Sequence, residues 1–214
     1  MMKNQRKAEG MNAYIWDLDG TLLDSYGVIV SSVVDACGDL GVAVDREEAH
    51  RQVIQHSVTW YLETVSKDFS LPFESLQAEY SDISGQRKGD IQLLPHAREV
   101  LDELKQQGAC HFVYTHRGRT TEAVLRDLGL EGCFTEVVTS LNGFARKPAP
   151  DALLYLMEKY GLSPGSTFYV GDRTIDMDCA RNAGVQGVLF LPEGSYCTPN
   201  GSENRIICDL KDLL

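Results

Sequence analysis

The sequence has no C-x-x-C pair; its six cysteines, Cys37, Cys110, Cys133, Cys179, Cys197 and Cys208, fall at irregular spacings. Zinc sites and disulfide frameworks need regular thiol spacing, so the expectation is free thiols in a reducing cytoplasm. No stretch is long and apolar enough to span a bilayer. No apolar run follows the polar, basic residues 1–10, which are read as a loose tail and not as a secretory signal. Positive charge is scarce: 20 Lys and Arg stand against 31 Asp and Glu, a net charge of -11. Such a surface repels nucleic acid and anionic membranes, and neither is expected as a partner. A small anionic substrate stays open, because a local cluster of donors overrules net charge. Internal repeats and low-complexity segments are also missing. What is left is a globular chain of 214 residues, 43% hydrophobic, long enough for one large domain or a domain carrying an insert.

Residues 12–17 (NAYIWD) form a short apolar run that ends at an acidic loop and read as a buried strand. Helical spacing follows in Val30, Val33, Val34 and Cys37, stopped by Gly41, then in Val58, Tyr61, Leu62 and Val65, then in Leu76, Tyr80 and Ile83. No strand is expected between residues 25 and 94. After Pro95 the pattern changes. Strands over 110–115 (CHFVYT), 136–139, 167–170, 187–191 and 205–208 alternate with helices around Val100 to Leu104 and over 121–128, 151–160 and 175–183. Alternation predicts an α/β fold, a parallel sheet with helices on both faces. Right-handed crossovers then bring every strand's C-terminal end to one edge, where open α/β sheets place their sites. The helical stretch interrupts that alternation. It is read as an inserted cap, residues 25–94, on a Rossmann-like core of residues 1–24 and 95–214. Residues 193–204 are rich in turn formers and are expected to be a mobile loop.

The acidic loop after the first strand reads Asp17-Leu18-Asp19-Gly20-Thr21. Residues two apart leave a strand on the same side, so both acids can face one substrate. Close carboxylates can divide labour as nucleophile and acid/base. A plain Asp-Gly turn with solvated acids fits the same residues; a calcium loop fits less well, because Gly20 comes too early for that pattern. Thr115 alone reads as well as a strand-end turn residue, Lys147 as a solvated lysine, and Asp172 and Asp176 as a helix cap and a first-turn acid.

Four motifs in order carry a resemblance. Asp17-x-Asp19-Gly20-Thr21 resembles the first motif of the haloacid dehalogenase-like phosphatases, and Thr115, Lys147 (in Arg146-Lys147-Pro148) and Gly171-Asp172-Arg173-Thr174-Ile175-Asp176 resemble the second, third and fourth. The likeness spans nearly the whole chain from Ala13 on. It implies Asp17 as the nucleophile at phosphorus, Asp19 as the acid and base, and Lys147 offsetting charge on both nucleophile and phosphate. It also implies phosphate binding by Thr115, the His116 N–H and Lys147, and magnesium held by Asp17, the Asp19 carbonyl and Asp172, with Asp176 ordering the water around it. Acids clustered at one sheet edge repel one another, a cost that a magnesium ion with oxygen ligands removes.

Two positions depart from common family patterns. His116 stands where asparagine is frequent, and His96, after Pro95, where glycine is frequent. The length, the cap position and the T-x-R stretch at Thr115 and Arg117 most resemble phosphoglycolate phosphatase-like enzymes, which implies a small phosphorylated metabolite as substrate. A sugar phosphomutase of the β-phosphoglucomutase type shares Asp17 and Asp19, and a phosphate-sensing or protein-binding member without turnover is the reading from another class. Cap residues Arg51, His56, Trp60, Lys67 and Arg87 are candidates for specificity, though a helical tryptophan more often belongs to a core. His111 is read as a core strand residue, His50 and His56 as cap-surface residues.

Overall fold

The computed structural model describes residues 11–214, and the tail expected over residues 1–10 lies outside the described residues. Strand β1 (Ala13–Trp16) consists of four buried residues in a row, as a strand covered on both faces requires. Alternate residues serve opposite layers. Tyr14 and Trp16 pack with Leu101 and Leu104 of α5 (Ala97–Gln106), Val124 and Leu125 of α6 (Thr121–Asp127), and the C-terminal Leu210 and Leu213. Ala13 and Ile15 pack with Leu153 and Leu156 of α7 (Asp151–Tyr160) and Cys179 and Ala180 of α8 (Thr174–Ala183). Full burial of side chains such as Ile15 and Phe112 contributes roughly 1.5–3 kcal/mol each.

The remaining strands of the main sheet are β4 (Cys110–Tyr114), β5 (Glu136–Val138), β6 (Thr167–Gly171), β7 (Gln186–Phe190) and β8 (Arg205–Ile207). Its order is β5-β4-β1-β6-β7-β8, and every pairing is parallel. The chain winds outward from β1 to β5, then crosses to β6 on the other side of β1. Winding therefore reverses between β1 and β6, which opens a crevice at their C-terminal ends. The strands and helices predicted after Pro95 all appear, with ends displaced by a residue or two.

Between β2 (Leu23–Asp24) and β3 (Gln92–Leu93) lie four helices: α1 (Tyr26–Asp39), α2 (Arg46–Gln55), α3 (Val58–Asp68) and α4 (Phe73–Gln86). They enclose a core of their own, including Val30, Val33, Cys37, Val53, Leu62, Val65 and Leu76. The spacing foresaw three of these helices. The fourth, α2, has only a thin apolar stripe and starts on a cap, with the Glu48 N–H donating to the Asp45 carboxylate at 2.8 Å. β2 and β3 pair antiparallel, Leu23 with Leu93, so residues 25–94 do contain a strand, contrary to expectation. Trp60 is likewise a correction. It is 40% exposed and stacks on His56 at 3.9 Å between ring centroids, because the buried stripe of α3 runs through Tyr61, Leu62 and Val65, one step aside.

Candidate active site

β4, β1 and β6 are neighbours, so the residues just past their ends, Thr115, Asp17 and Asp172, lie side by side. The ladders continue one residue further: the Asp17 N–H donates to the Val170 carbonyl at 2.9 Å and the Thr115 N–H to the Val138 carbonyl at 3.0 Å. After Asp17 the chain doubles back sharply, and the Leu18 carbonyl accepts from the N–H groups of Thr21, Leu22 and Leu23. Gly20 makes that reversal possible. Its φ is +79°, and a Cβ there would meet the Tyr26 ring at 2.3 Å and an Asp172 oxygen at 2.4 Å.

Asp17 is 2% exposed. The Lys147 ammonium, fully buried, lies 3.0 Å from its Oδ1 and 2.7 Å from Asp176 Oδ1. It also faces the rings of Tyr114 at 5.0 Å and Tyr169 at 5.3 Å, an environment that favours a cation. Burial works against the charged lysine, but Asp17 and Asp176 outweigh it and raise its pKa. For Asp17 burial wins over Lys147 and the pKa is raised. Asp176 goes the other way: burial is overcome by Lys147 and Arg173, and the Tyr169 hydroxyl donates to it at 3.1 Å. Asp172 accepts from the Tyr26 hydroxyl at 2.7 Å and the Thr21 hydroxyl at 3.2 Å. Burial, only partly countered by Arg173 and reinforced by repulsion from Asp176 and Asp17, pushes it up to about 7.

One carboxylate oxygen from each of Asp17, Asp172 and Asp176 lies within 4.8 Å of the other two. That cluster contains Asp176, which the resemblance places in the water around the metal, where the implied metal set has the main-chain carbonyl of Asp19. The Asp19 carboxylate is turned elsewhere, onto Arg117, whose Nε donates to both of its oxygens at 3.1 Å and whose Nη2 also donates to Oδ1. Burial would raise Asp19, but the Arg117 charge and hydrogen bonds hold it below the ordinary carboxylate range. His116 projects toward the lysine loop: its Nε2 accepts the Lys147 main-chain N–H at 3.0 Å.

Every site residue foreseen from the motifs, Asp17, Asp19, Thr115, His116, Lys147, Asp172 and Asp176, belongs to this one constellation. The proposed specificity residues do not join it through the contacts they make. Arg51 pairs with Glu48, Arg87 with Asp35, and His56 with Trp60, while Lys67 is exposed on α3. His50 is not on the open surface but half-buried between Tyr26 and Tyr196. His111 is a core residue as expected, accepting from Trp16 Nε1 at 3.1 Å and donating to the Leu101 carbonyl at 3.0 Å. His96 is left-handed, with φ 64°, which gives a physical reason for glycine at this position; its ring is tied to Asp209 at 2.8 Å. Sequence reasoning missed Tyr26 and Tyr169, and gave Arg117 and Arg173 no role. Arg117 carried a usable signal, a cation two residues from the hydroxyl that ends β4.

Sheet and site together put a buried lysine and a cluster of acids at the switch point of an α/β fold, where open sheets place their sites. The chain belongs to the haloacid dehalogenase-like hydrolase family, whose model matches residues 14–190, and it is a phosphohydrolase. A phosphoglycolate phosphatase from Mannheimia succiniciproducens is 29% identical to it, over 93% of this chain and 95% of that one. One from Synechococcus elongatus is also 29% identical, over 83% and 82%. Among solved structures, a hydrolase from Streptococcus pneumoniae is 31% identical, covers 84% of this chain and 92% of its own, and superposes with a TM-score of 0.62. A predicted phosphoglycolate phosphatase from Haemophilus somnus has the same fold, with a TM-score of 0.84 at 24% identity over 95% and 96% of the two chains. Among the described residues no helix is long and apolar enough to cross a membrane.

Proposed function

We propose that the chain is a magnesium-dependent phosphatase that hydrolyses a small phosphate monoester through an aspartyl-phosphate on Asp17. Phosphoglycolate, named for its relatives, is the leading candidate substrate. The observation that carries the reading is Asp17 itself, buried at a strand end with the Lys147 ammonium 3.0 Å away. A nucleophilic carboxylate needs such a cation to accept a phosphate dianion beside it.

The acid cluster supports the metal. Three buried carboxylates with oxygens within 4.8 Å repel one another, and hard oxygen donors so placed suit magnesium. The ion would be held by Asp17, Asp172 and the main-chain carbonyl of Asp19, with Asp176 ordering its water, and would supply positive charge to the transferring phosphoryl group. The chain's own residues do the rest. Thr115, the His116 N–H and Lys147 hold the phosphate oxygens. Asp17 attacks phosphorus as the bond to the leaving oxygen breaks, and Asp19 delivers a proton to that oxygen. Asp19 then takes a proton from the water that attacks phosphorus and releases Asp17.

In this reading residues 25–94 are a cap that closes over a core of residues 1–24 and 95–214 and keeps bulk water out. The compartment is the cytoplasm, where six free thiols stay reduced. The test is release of inorganic phosphate from a panel of phosphorylated metabolites with magnesium, phosphoglycolate included. Turnover should vanish in Asp17→Asn; undiminished turnover in that variant would sink the mechanism.

A further inference from the structure

Three cations reach the site, and two of them touch an acid. Lys147 is held between Asp17 and Asp176, and Arg117 donates to both oxygens of Asp19. Arg173 is the exception. It follows Asp172 directly and caps the start of α8, where its main-chain N–H donates to Asp176 Oδ2 at 3.2 Å. The residue is half-buried, yet among the described residues its guanidinium has no hydrogen bond and no ion pair, and its Nε is buried without a partner. Its charge still acts across the crevice. Tyr26, Asp176, Asp172 and Asp17 feel it on one side, His116 and Asp19 on the other. The guanidinium therefore stands over the acids, near enough for its field and too far for contact.

Folded proteins pair their buried polar groups with few exceptions, and an unpaired charged donor is among the costliest. A guanidinium cannot escape that cost by losing a proton. The acceptor it lacks must be negative, and it must fit between the fork and the acids without being one of them. A phosphoryl group set on Asp17 meets both conditions, because its charge is spread over three outward oxygens. Lys147 cannot neutralise those oxygens alone, since its ammonium is shared between Asp17 and Asp176. The Thr115 hydroxyl and the His116 N–H bring no full charge. A guanidinium binds two phosphoryl oxygens in parallel, fork to fork.

We propose that Arg173 is a further phosphoryl contact, its guanidinium binding two nonbridging oxygens of the group on Asp17 and supplying a full positive charge that neither Lys147 nor Arg117 is free to give. The assignment rests on the phosphatase reading and adds a residue that the reading does not use. It also accounts for the distance the arginine keeps from the acids. A fork already closed on Asp17 or Asp172 would compete with the phosphoryl group for those oxygens and with a metal for those acids.

The probe is inorganic phosphate, titrated calorimetrically in saturating magnesium; magnesium is titrated separately without phosphate. Arg173→Gln should bind phosphate roughly tenfold or more weakly than wild type, the weight of a charged hydrogen-bonded pair. Arg173→Lys keeps the charge without the fork and should recover only part of that loss. Magnesium alone should bind Arg173→Gln as tightly as wild type or more tightly, because a cation facing Asp172 and Asp17 has gone. A merely structural arginine would weaken both ligands together as the acid cluster loosened, and one acting only through its field would be replaced fully by lysine. A smaller loss of phosphate in Arg173→Gln, a parallel loss of magnesium, or full recovery in Arg173→Lys overturns the assignment. If Arg173→Gln does not fold, Arg173→Lys decides: weaker phosphate with magnesium kept supports the contact, and phosphate bound as in wild type overturns it. Phosphate release from p-nitrophenyl phosphate by wild type separates the two levels. Turnover with phosphate binding unchanged in the variants removes the role of Arg173 and leaves the phosphatase standing, whereas no turnover and no phosphate bound by wild type removes both.

Discussion

Replacing His116 by asparagine should change how the protein's stability depends on pH without breaking the contact that His116 makes. Its Nε2 accepts the Lys147 N–H at 3.0 Å, so that nitrogen carries no proton, and Nδ1 faces a second donor, Arg146 Nη2, at 3.3 Å. Protonation would set N–H against N–H and add a charge beside three others. Burial, then the charges of Lys147, Arg146 and Arg173, push the pKa down to about 3 from an ordinary 6.5. The unfolded chain takes up a proton at this histidine below pH 6.5, and the folded chain does not until about pH 3. The stability that the neutral ring contributes is therefore complete above pH 6.5 and is lost as pH falls between those values. By pH 5 the loss amounts to about 2 kcal/mol. Asparagine keeps an acceptor and does not titrate. Urea unfolding in chelator at pH 8 and pH 5 should show wild type losing about 2 kcal/mol more than His116→Asn. Equal losses in the two proteins would refute the argument. His116→Ala provides the contrast: it strands the Lys147 N–H and should be less stable than His116→Asn by about 1–3 kcal/mol at both pH values.

Chelator should abolish phosphate release and added magnesium restore it; magnesium at a hundredfold its Kd should stabilise the fold by about 2.7 kcal/mol, read as a rise in Tm that Asp172→Asn no longer shows. Full activity in excess chelator would rule the metal out. Asp19→Asn should still be phosphorylated by an aryl phosphate, whose leaving group needs little proton, giving a burst of about one phenolate per enzyme and then slow turnover. Loss of a uniform factor on every substrate with no burst would leave Asp19 a structural role only. Gly20→Ala should cost about 1–2 kcal/mol for the left-handed backbone alone, and more for the overlap with Tyr26 and Asp172, with phosphate release falling alongside; an unchanged Tm would contradict the crowding at that turn.

The parts of the site legible in the sequence are those that local pattern determines. Apolar runs mark β1, β4 and β6, and a parallel sheet brings their ends to one edge. The sequence pattern alone therefore places Asp17, Thr115 and Asp172 together. The unforeseen contacts join residues far apart in the chain: Arg117 with Asp19 across 98 positions, Tyr26 with Asp172 across 146. No periodicity records which of several polar side chains meets which across a crevice. Trp60 shows a related limit, because spacing finds a stripe but not its edges, and one step of 100° turns a side chain from core to solvent. Residues 82–92 carry many polar residues and two glycines, a composition that suggests a flexible hinge, yet the chain is helical to Gln86 and continues as a 3-10 turn over Arg87–Asp90. The joint between the helical block and the sheet is the short β2–β3 ribbon, whose two-residue strands are too brief to leave an alternating pattern. Residues 193–204 form a loop, as expected, and its end is tied to α8: Ser202 donates to Asp178 at 2.6 Å and accepts from Arg181 at 2.5 Å.

Charge balance ties the residues of the site to one another. Asp17, Asp19, Asp172 and Asp176 bring four carboxylates into a small volume, and Lys147, Arg117 and Arg173 bring three cations. The set is close to neutral but not evenly so. Lys147 and Arg117 each sit hard against an acid, while Asp172 has only hydroxyl donors in contact and is pushed up to about 7. A phosphate dianion delivered to Asp17 would add two more negative charges beside Asp172, where the local balance is already poorest. The lysine cannot answer both, since its ammonium is already shared between Asp17 and Asp176. A divalent cation beside Asp172 would restore neutrality there and lower that carboxyl toward its ordinary range. Its arrival would therefore bind best where the substrate's charge is also to be placed, and phosphate and metal should each tighten the other's binding.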